Sequence, residues 1–150
     1  MKKLLLLMIP LFLMLMNMAN ADTKSYTATI YGKSIYPSDL IPPMYIYAHN
    51  ITDGKTYRLK TKESQENYKL VLPAPANYIF YSWTTDKKNP VGAAYNECNG
   101  TDTCTYKKPK MVTLKKGQVI KNFKIAGYYY FVDEADEVVP KPPKKYIALD

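Results

Sequence analysis

Short runs in which apolar and polar residues alternate recur along this chain, and turn-forming residues separate them. Alternation with a period of two places successive side chains on opposite faces, which is typical of β-strands. The 11 prolines interrupt the chain at positions that long helices would not tolerate. The pattern predicts seven strands, at residues 25–31, 44–49, 56–61, 67–72, 78–83, 111–114 and 119–125.

The residues between these runs predict how some of the strands pair. Asp53-Gly54 lies between the second and third runs, which predicts an antiparallel hairpin. Gly117 lies between the last two runs and predicts a second hairpin. The run 78–83 is apolar on both faces, which indicates a central, doubly covered strand. We therefore expect an all-β fold, an immunoglobulin-like antiparallel β-sandwich of about seven strands over residues 22–127.

The N-terminus has the three zones of a secretory signal. Lys2 and Lys3 precede an apolar run from Leu4 to Met16, and Ala19-Asn20-Ala21 follows as a small-x-small cleavage site. The run is shorter than the roughly 20 residues of a membrane-spanning helix. We expect residues 1–21 to be a cleavable signal peptide that exports the chain to the periplasm or medium, with no transmembrane segment after cleavage. An uncleaved membrane anchor is the alternative.

Two features of composition limit the partners. The formal net charge is +8, and Arg58 is the only arginine among the 21 basic residues. Scattered lysines suit a solvated surface better than a phosphate-binding one, so nucleic acid is not an expected partner. All 15 tyrosines lie beyond the signal, and aromatic residues favour half-buried strands.

The C-terminal residues differ in kind from the runs before them. Residues 133–137 are mostly acidic, and residues 140–145 consist only of proline and lysine. Neither composition fills a core, so we expect residues 128–150 to form an extended tail. A proline-rich ligand for a peptide-recognition domain is the functional alternative.

The residue types that carry most chemistry are scarce. Cys98 and Cys104 are the only cysteines, and in an exported protein they predict a disulfide that closes a small loop. His49 is the only histidine, so we expect no metal site, no cofactor and no serine triad. No G-x-S-x-G or phosphate-binding glycine loop is present. Spatially assembled carboxylates, as in glycoside hydrolases, remain open.

Several runs together resemble the carboxypeptidase regulatory-like, prealbumin-type β-sandwich family. They are residues 30–38, 41–48, Asp53-Gly54, 72–75, Tyr78-Ile79-Phe80 and 112–118. The resemblance covers about residues 24–126. It implies a non-catalytic accessory module of seven or so strands that binds or stabilises other molecules. Here the module would stand alone behind a signal peptide.

These observations predict a non-catalytic, exported binding module whose partner is an envelope protein or glycan. Aromatic residues suit sugars and protein hot spots, although they also suit the core of a tyrosine-rich sandwich. The candidate binding residues are Tyr45, Tyr47, Trp83, Tyr128, Tyr129 and Tyr130. The alternatives are a protease inhibitor that presents loop 98–104, a small envelope hydrolase, and a subunit that polymerises through its sheet edges.

Overall fold

The computed structural model describes residues 26–96, 108–128, 130–131 and 139–150, and the predicted signal peptide lies outside them. In this part of the chain every regular element is a strand, and no helix is long and apolar enough to cross a membrane. The ten strands are β1 (Thr27–Ile35), β2 (Met44–Asn50), β3 (Thr56–Lys60), β4 (Asn67–Pro73), β5 (Ala76–Thr84), β6 (Val91–Ala94), β7 (Val112–Leu114), β8 (Val119–Ala126), β9 (Tyr130–Phe131) and β10 (Ile147–Leu149).

The strands form two sheets that pack as a β-sandwich, which confirms the predicted fold class. The small sheet has the order β4-β1-β8. The large sheet has the order β10-β3-β2-β5-β6-β9, and β7 also pairs with β5. Alternate residues of both sheets point into the space between them, where burial of apolar surface stabilises the fold. The fully buried side chains of this core include Ile30, Met44, Ile46, Leu70, Leu72, Tyr78, Phe80 and Ile125.

The local signals of the sequence correspond closely to the structure. Each of the seven predicted runs matches a strand, and every residue from Phe80 to Thr84 of β5 is buried, as expected for a strand covered on both faces. The hairpin between β2 and β3 forms at Asp53-Gly54. Gly54 has a φ of 71°, and its N–H donates to the carbonyl of Asn50 over 2.9 Å. Glycine suits this positive φ because it carries no Cβ.

The pairing of distant strands differs from the prediction. Three further strands, β6, β9 and β10, are present, and two pairs are parallel: β8 with β1 and β10 with β3. The second predicted hairpin is wrong, because β7 pairs with β5 in the large sheet whereas β8 pairs with β1 in the small one. Gly117 does adopt a positive φ of 68°, but its turn carries the chain between sheets. Alternation identifies a strand, and long-range packing selects its partner.

The C-terminal residues are not a free tail where the structure describes them: most of them are exposed, but they are attached to the large sheet at two places. Residues 139–150, here called the C-terminal strap, lie against the large sheet. Val139 is fully buried, the Trp83 Nε1–H donates to the Pro140 carbonyl over 2.8 Å, and β10 pairs with β3. Tyr128 is buried in the sandwich. The prediction failed because proline-rich composition hid the two apolar ends of the strap, which find partners on the sheet.

Candidate functional site

Three of the predicted binding aromatics lie together on the outer face of the large sheet. Tyr45 and Tyr47 point away from the core, while Met44 and Ile46 of the same strand point into it. Trp83 of β5 is on the outer side as well, because it packs in the same cluster as Tyr47. Tyr47 stacks on Tyr81 with ring centroids 4.9 Å apart. We call this surface the aromatic face; its members are Tyr45, Tyr47, Arg58, Tyr81 and Trp83.

The centre of the aromatic face is not open to solvent, because the C-terminal strap packs on it, while Tyr45 and Arg58 are half-buried. Tyr47 is 2% exposed and Trp83 is 1% exposed. Burial disfavours the charged phenolate, and it raises the pKa of both Tyr47 and Tyr81. Alternation in the sequence predicts that Tyr45 and Tyr47 share a face, but it predicts neither that Trp83 lies beside them nor that another part of the chain lies on top of them.

The other predicted site residues do not join this cluster. Tyr128 lies in the core between the sheets, where its hydroxyl hydrogen-bonds that of Ser82. Burial raises the pKa of Tyr128 to about 12. Tyr130 belongs to β9, and Tyr129 lies outside the described residues, as do Cys98 and Cys104. The disulfide therefore stays a prediction.

The exposed outer face of the small sheet carries a different set of side chains. Tyr31 of β1 is 45% exposed and lies directly opposite Lys69 of β4. Two residues further along β1, on the same face, Lys33 lies between Asn67 of β4 and Lys124 of β8. The Lys69 ammonium is 5.9 Å from the centre of the Tyr31 ring, within the range of a cation–π contact. We call this surface the lysine face; its members are Tyr31, Lys33, Lys69, Lys121 and Lys124.

A β-bulge in β8 shapes the lysine face beside Tyr31. Ile30 pairs with Ile120, but Gly32 pairs with Phe123, so β8 holds one residue more than β1 over this interval. Asn122 adopts a left-handed φ of 57°, which asparagine tolerates better than most residues. Two successive polar side chains, Lys121 and Asn122, therefore stay at the surface before Phe123 turns inward.

A groove of about 570 Å³ runs over the lysine face. It is lined by Tyr31, Lys33, Asn67, Lys121, Asn122 and Lys124, and its floor includes Gly32 and Tyr68. The Tyr68 ring lies across Gly32 on the core side, so any Cβ at position 32 would overlap it. Volume of this size suits a few residues of an extended ligand.

The charge of the groove is positive. Lys33 pairs with Glu66 over 2.6 Å, and the two side chains are 44% and 45% exposed. Lys69, Lys121 and Lys124 form no ion pair with any described residue. Their ammonium groups are donors without a fixed acceptor, so an anionic ligand would meet the uncompensated charges of Lys121 and Lys124 in the groove and that of Lys69 beside the Tyr31 ring.

The described residues offer little for metal or acid–base chemistry. They contain no group of three or more histidine, cysteine, aspartate or glutamate side chains able to hold a metal ion. His49 Nδ1 lies 2.9 Å from Thr56 Oγ1, its cross-strand neighbour beside the β2–β3 turn. This geometry is that of a strand-end histidine bonded to a hydroxyl.

Sequence reasoning did not single out the lysine face. A partial signal was present, because Lys69 and Lys124 occupy solvent-facing positions of alternating runs. Lys33, however, lies beyond the first run, and strict alternation would point Lys121 inward without the bulge at Asn122. What the sequence lacked was the strand order, which places β4 and β8 on the two sides of β1. Only that order gathers lysines from three distant segments around Tyr31.

Comparison with known proteins does not assign the chain to a family. No protein-family model, curated protein or solved structure matches it. The resemblance to carboxypeptidase regulatory-like domains therefore stays a prediction, and function has to be argued from the geometry above.

Proposed function

We propose that this protein is an exported, non-catalytic binding module that holds an anionic polysaccharide of the cell envelope on its lysine face. The observation that carries the proposal is the exposed Tyr31 ring with three lysines on the same face, Lys69, Lys121 and Lys124, that form no ion pair with any described residue. Export is supported by the signal-like residues 1–21.

The chemistry of the groove fits an acidic sugar chain. An exposed aromatic ring offers an apolar platform with a polar tip, on which the C–H face of a sugar can pack. The side-chain amides of Asn67 and Asn122 line the same groove and both donate and accept hydrogen bonds, as sugar hydroxyls require. Lysine ammonium groups supply charge-assisted hydrogen bonds to carboxylates.

The shape of the face favours a polymer over a small anion. The groove lies on an open sheet surface and takes side chains from three strands, so ligand contacts would spread along it. The groove that the described residues form is open and does not gather its lysines around one point charge. An extended chain that carries repeated carboxylates would contact several of them at once, which multiplies weak individual contacts.

The test uses the mature protein, residues 22–150, whose N-terminus mass spectrometry confirms. Isothermal titration compares polygalacturonate, an anionic polysaccharide, with dextran, a neutral one. We expect binding to polygalacturonate that weakens with added salt, and no binding to dextran. Tyr31→Ala should weaken binding about fivefold, the equivalent of ~1 kcal/mol.

Matched controls separate a built site from general positive charge. Tyr26→Ala removes another exposed tyrosine, which has Lys116 3.3 Å above its ring but does not line the groove. Lys87→Ser with Lys88→Ser removes two charges from the exposed turn after β5. The proposal is overturned if this pair weakens binding as much as Lys121→Ser with Lys124→Ser does.

A further inference from the structure

The C-terminal strap is anchored at its first residue in an aromatic socket. Val139 is fully buried and packs with Tyr47, Tyr81, Trp83 and Ala94 on the aromatic face. Next to it, the Trp83 Nε1–H donates to the Pro140 carbonyl over 2.8 Å. The aromatic face thus binds the aliphatic side chain of Val139 and the backbone carbonyl of Pro140 side by side.

The second anchor lies seven residues further along the strap. Arg58 lies with its guanidinium 3.5 Å from the Tyr146 ring centre and 4.2 Å from that of Tyr45, so it stacks against both rings. Beyond it, β10 runs parallel to β3 and pairs residue by residue from Ile147 with Tyr57 to Leu149 with Leu59. This end of the strap is held by a cation between rings and by a short backbone ladder.

Between its anchors the strap is rich in proline. Pro140, Pro142 and Pro143 have no N–H to donate, and residues 140–145 are exposed or half-buried. Proline-rich segments favour the extended polyproline conformation, which costs little entropy to bind. Aromatic-lined grooves that hold such segments by side-chain anchors are a recurring mode of peptide recognition, and addition of a strand to a sheet edge is another. The strap combines both.

We infer that the aromatic face is a binding site for an extended, proline-containing peptide segment of another protein, and that the strap occupies it in cis. The segment would carry an aliphatic residue before its proline and an aromatic residue about seven positions later. β3 has five residues, Thr56–Lys60, and β10 pairs with only three of them. A longer partner strand could therefore form more of the ladder than the strap does.

A partner has to compete with a covalently attached occupant. A tethered segment acts at an effective concentration in the millimolar range, so binding from solution is masked until the strap is weakened. This competition gives the inference a direct test. The probe is a fluorescent synthetic peptide with the sequence of residues 139–150, titrated by anisotropy into the intact mature chain and into its Val139→Asp variant.

We expect the peptide to bind Val139→Asp about tenfold more tightly than it binds the wild-type chain, because a buried carboxylate releases the variant's own anchor. Adding Arg58→Ser to this variant should weaken binding of the peptide again, because the guanidinium that stacks against the tyrosine rings is lost. A peptide in which aspartate replaces the first valine should not bind. Circular dichroism confirms that each protein variant keeps its sheet.

The inference is overturned if a folded Val139→Asp chain fails to bind the peptide, or binds a scrambled peptide of the same composition equally well. If Val139→Asp does not fold, Tyr146→Ala replaces it, since Tyr146 is 41% exposed and its loss frees the other anchor. Polygalacturonate binding is measured on the same variants. Because the lysine face is on the other sheet, loss of peptide binding and loss of polysaccharide binding are distinguishable.

Discussion

The two outer faces of this sandwich are both formed by alternate residues of their strands, but they differ in exposure to solvent. On the aromatic face, alternate strand residues present Tyr47, Tyr81 and Trp83, and each is at most 2% exposed under the strap. On the lysine face, alternate residues present Tyr31, which is 45% exposed among ammonium groups. Exposure of an apolar sheet face to water costs free energy, so a segment of the same chain that packs on this face stabilises the fold. A charged face is well solvated and needs no such cover. Open surface is therefore found where the aromatic residues are fewest.

The largest test of this contrast replaces one aromatic residue on each face. Trp83→Ala should lower the free energy of unfolding by roughly 3–5 kcal/mol, since it leaves a cavity beneath the strap and removes the donor to Pro140. Tyr31→Ala should change it by no more than about 0.5 kcal/mol. Urea denaturation of both variants measures the difference. Equal losses would mean that the two faces are equally structural.

Much of this contrast could not have been read from the sequence. Alternation correctly placed Tyr45 and Tyr47 on one face of β2, and the apolar run in β5 correctly indicated a strand covered on both sides. These signals are local, because a strand's own residues determine which side chains share a face. The residue that covers the face, Val139, lies about 55 residues after the end of β5. Its proline-rich neighbours had indicated a solvated tail.

The lysine face was missed for a related reason. Its side chains come from β1, β4 and β8, and β8 joins β1 in parallel after the chain crosses from the large sheet. Sequence patterns do not encode that crossing, so the turn at Gly117 resembles an ordinary hairpin. The bulge at Asn122 is equally hidden, because its extra residue is defined only against the pairing of β1.

Alkaline pH provides a second test, because it acts on covered tyrosines. Burial raises the pKa of Tyr128 from 10.0 to about 12. A raised folded-state pKa means that the unfolded chain loses its proton first, so the stabilisation is complete below pH 10 and is lost between pH 10 and about 12. For Tyr128 the loss is on the order of 3 kcal/mol. Burial also raises the pKa of four other tyrosines, Tyr47, Tyr68, Tyr78 and Tyr81.

We therefore expect the urea midpoint to fall steeply as pH rises above 10, while tyrosinate absorbance shows part of the tyrosines ionising only as the chain unfolds. The Tyr128→Phe variant has no phenol to ionise at that position, so its urea midpoint should fall less steeply over the same pH window. A midpoint that stays flat through this window would contradict the burial of these hydroxyls.

The smallest expected effect on stability concerns the ion pair at the edge of the lysine face. Lys33 and Glu66 are each close to half exposed, and exposed pairs of this kind contribute about 0–1 kcal/mol. Glu66→Gln should therefore leave the urea midpoint almost unchanged. It should nevertheless raise affinity for polygalacturonate roughly two- to fivefold, because Lys33 gains a free charge in the groove.

The matched control is Asp53→Asn, which breaks the pair between Lys55 and Asp53 at the β2–β3 turn of the other sheet. Both variants change the net charge of the protein by the same amount, so general attraction of a polyanion would raise affinity equally in the two. A gain confined to Glu66→Gln locates the ligand next to Lys33. Equal gains would instead mean that the polysaccharide responds to total charge, and the contrast between a covered face and a binding face would no longer explain where ligands dock.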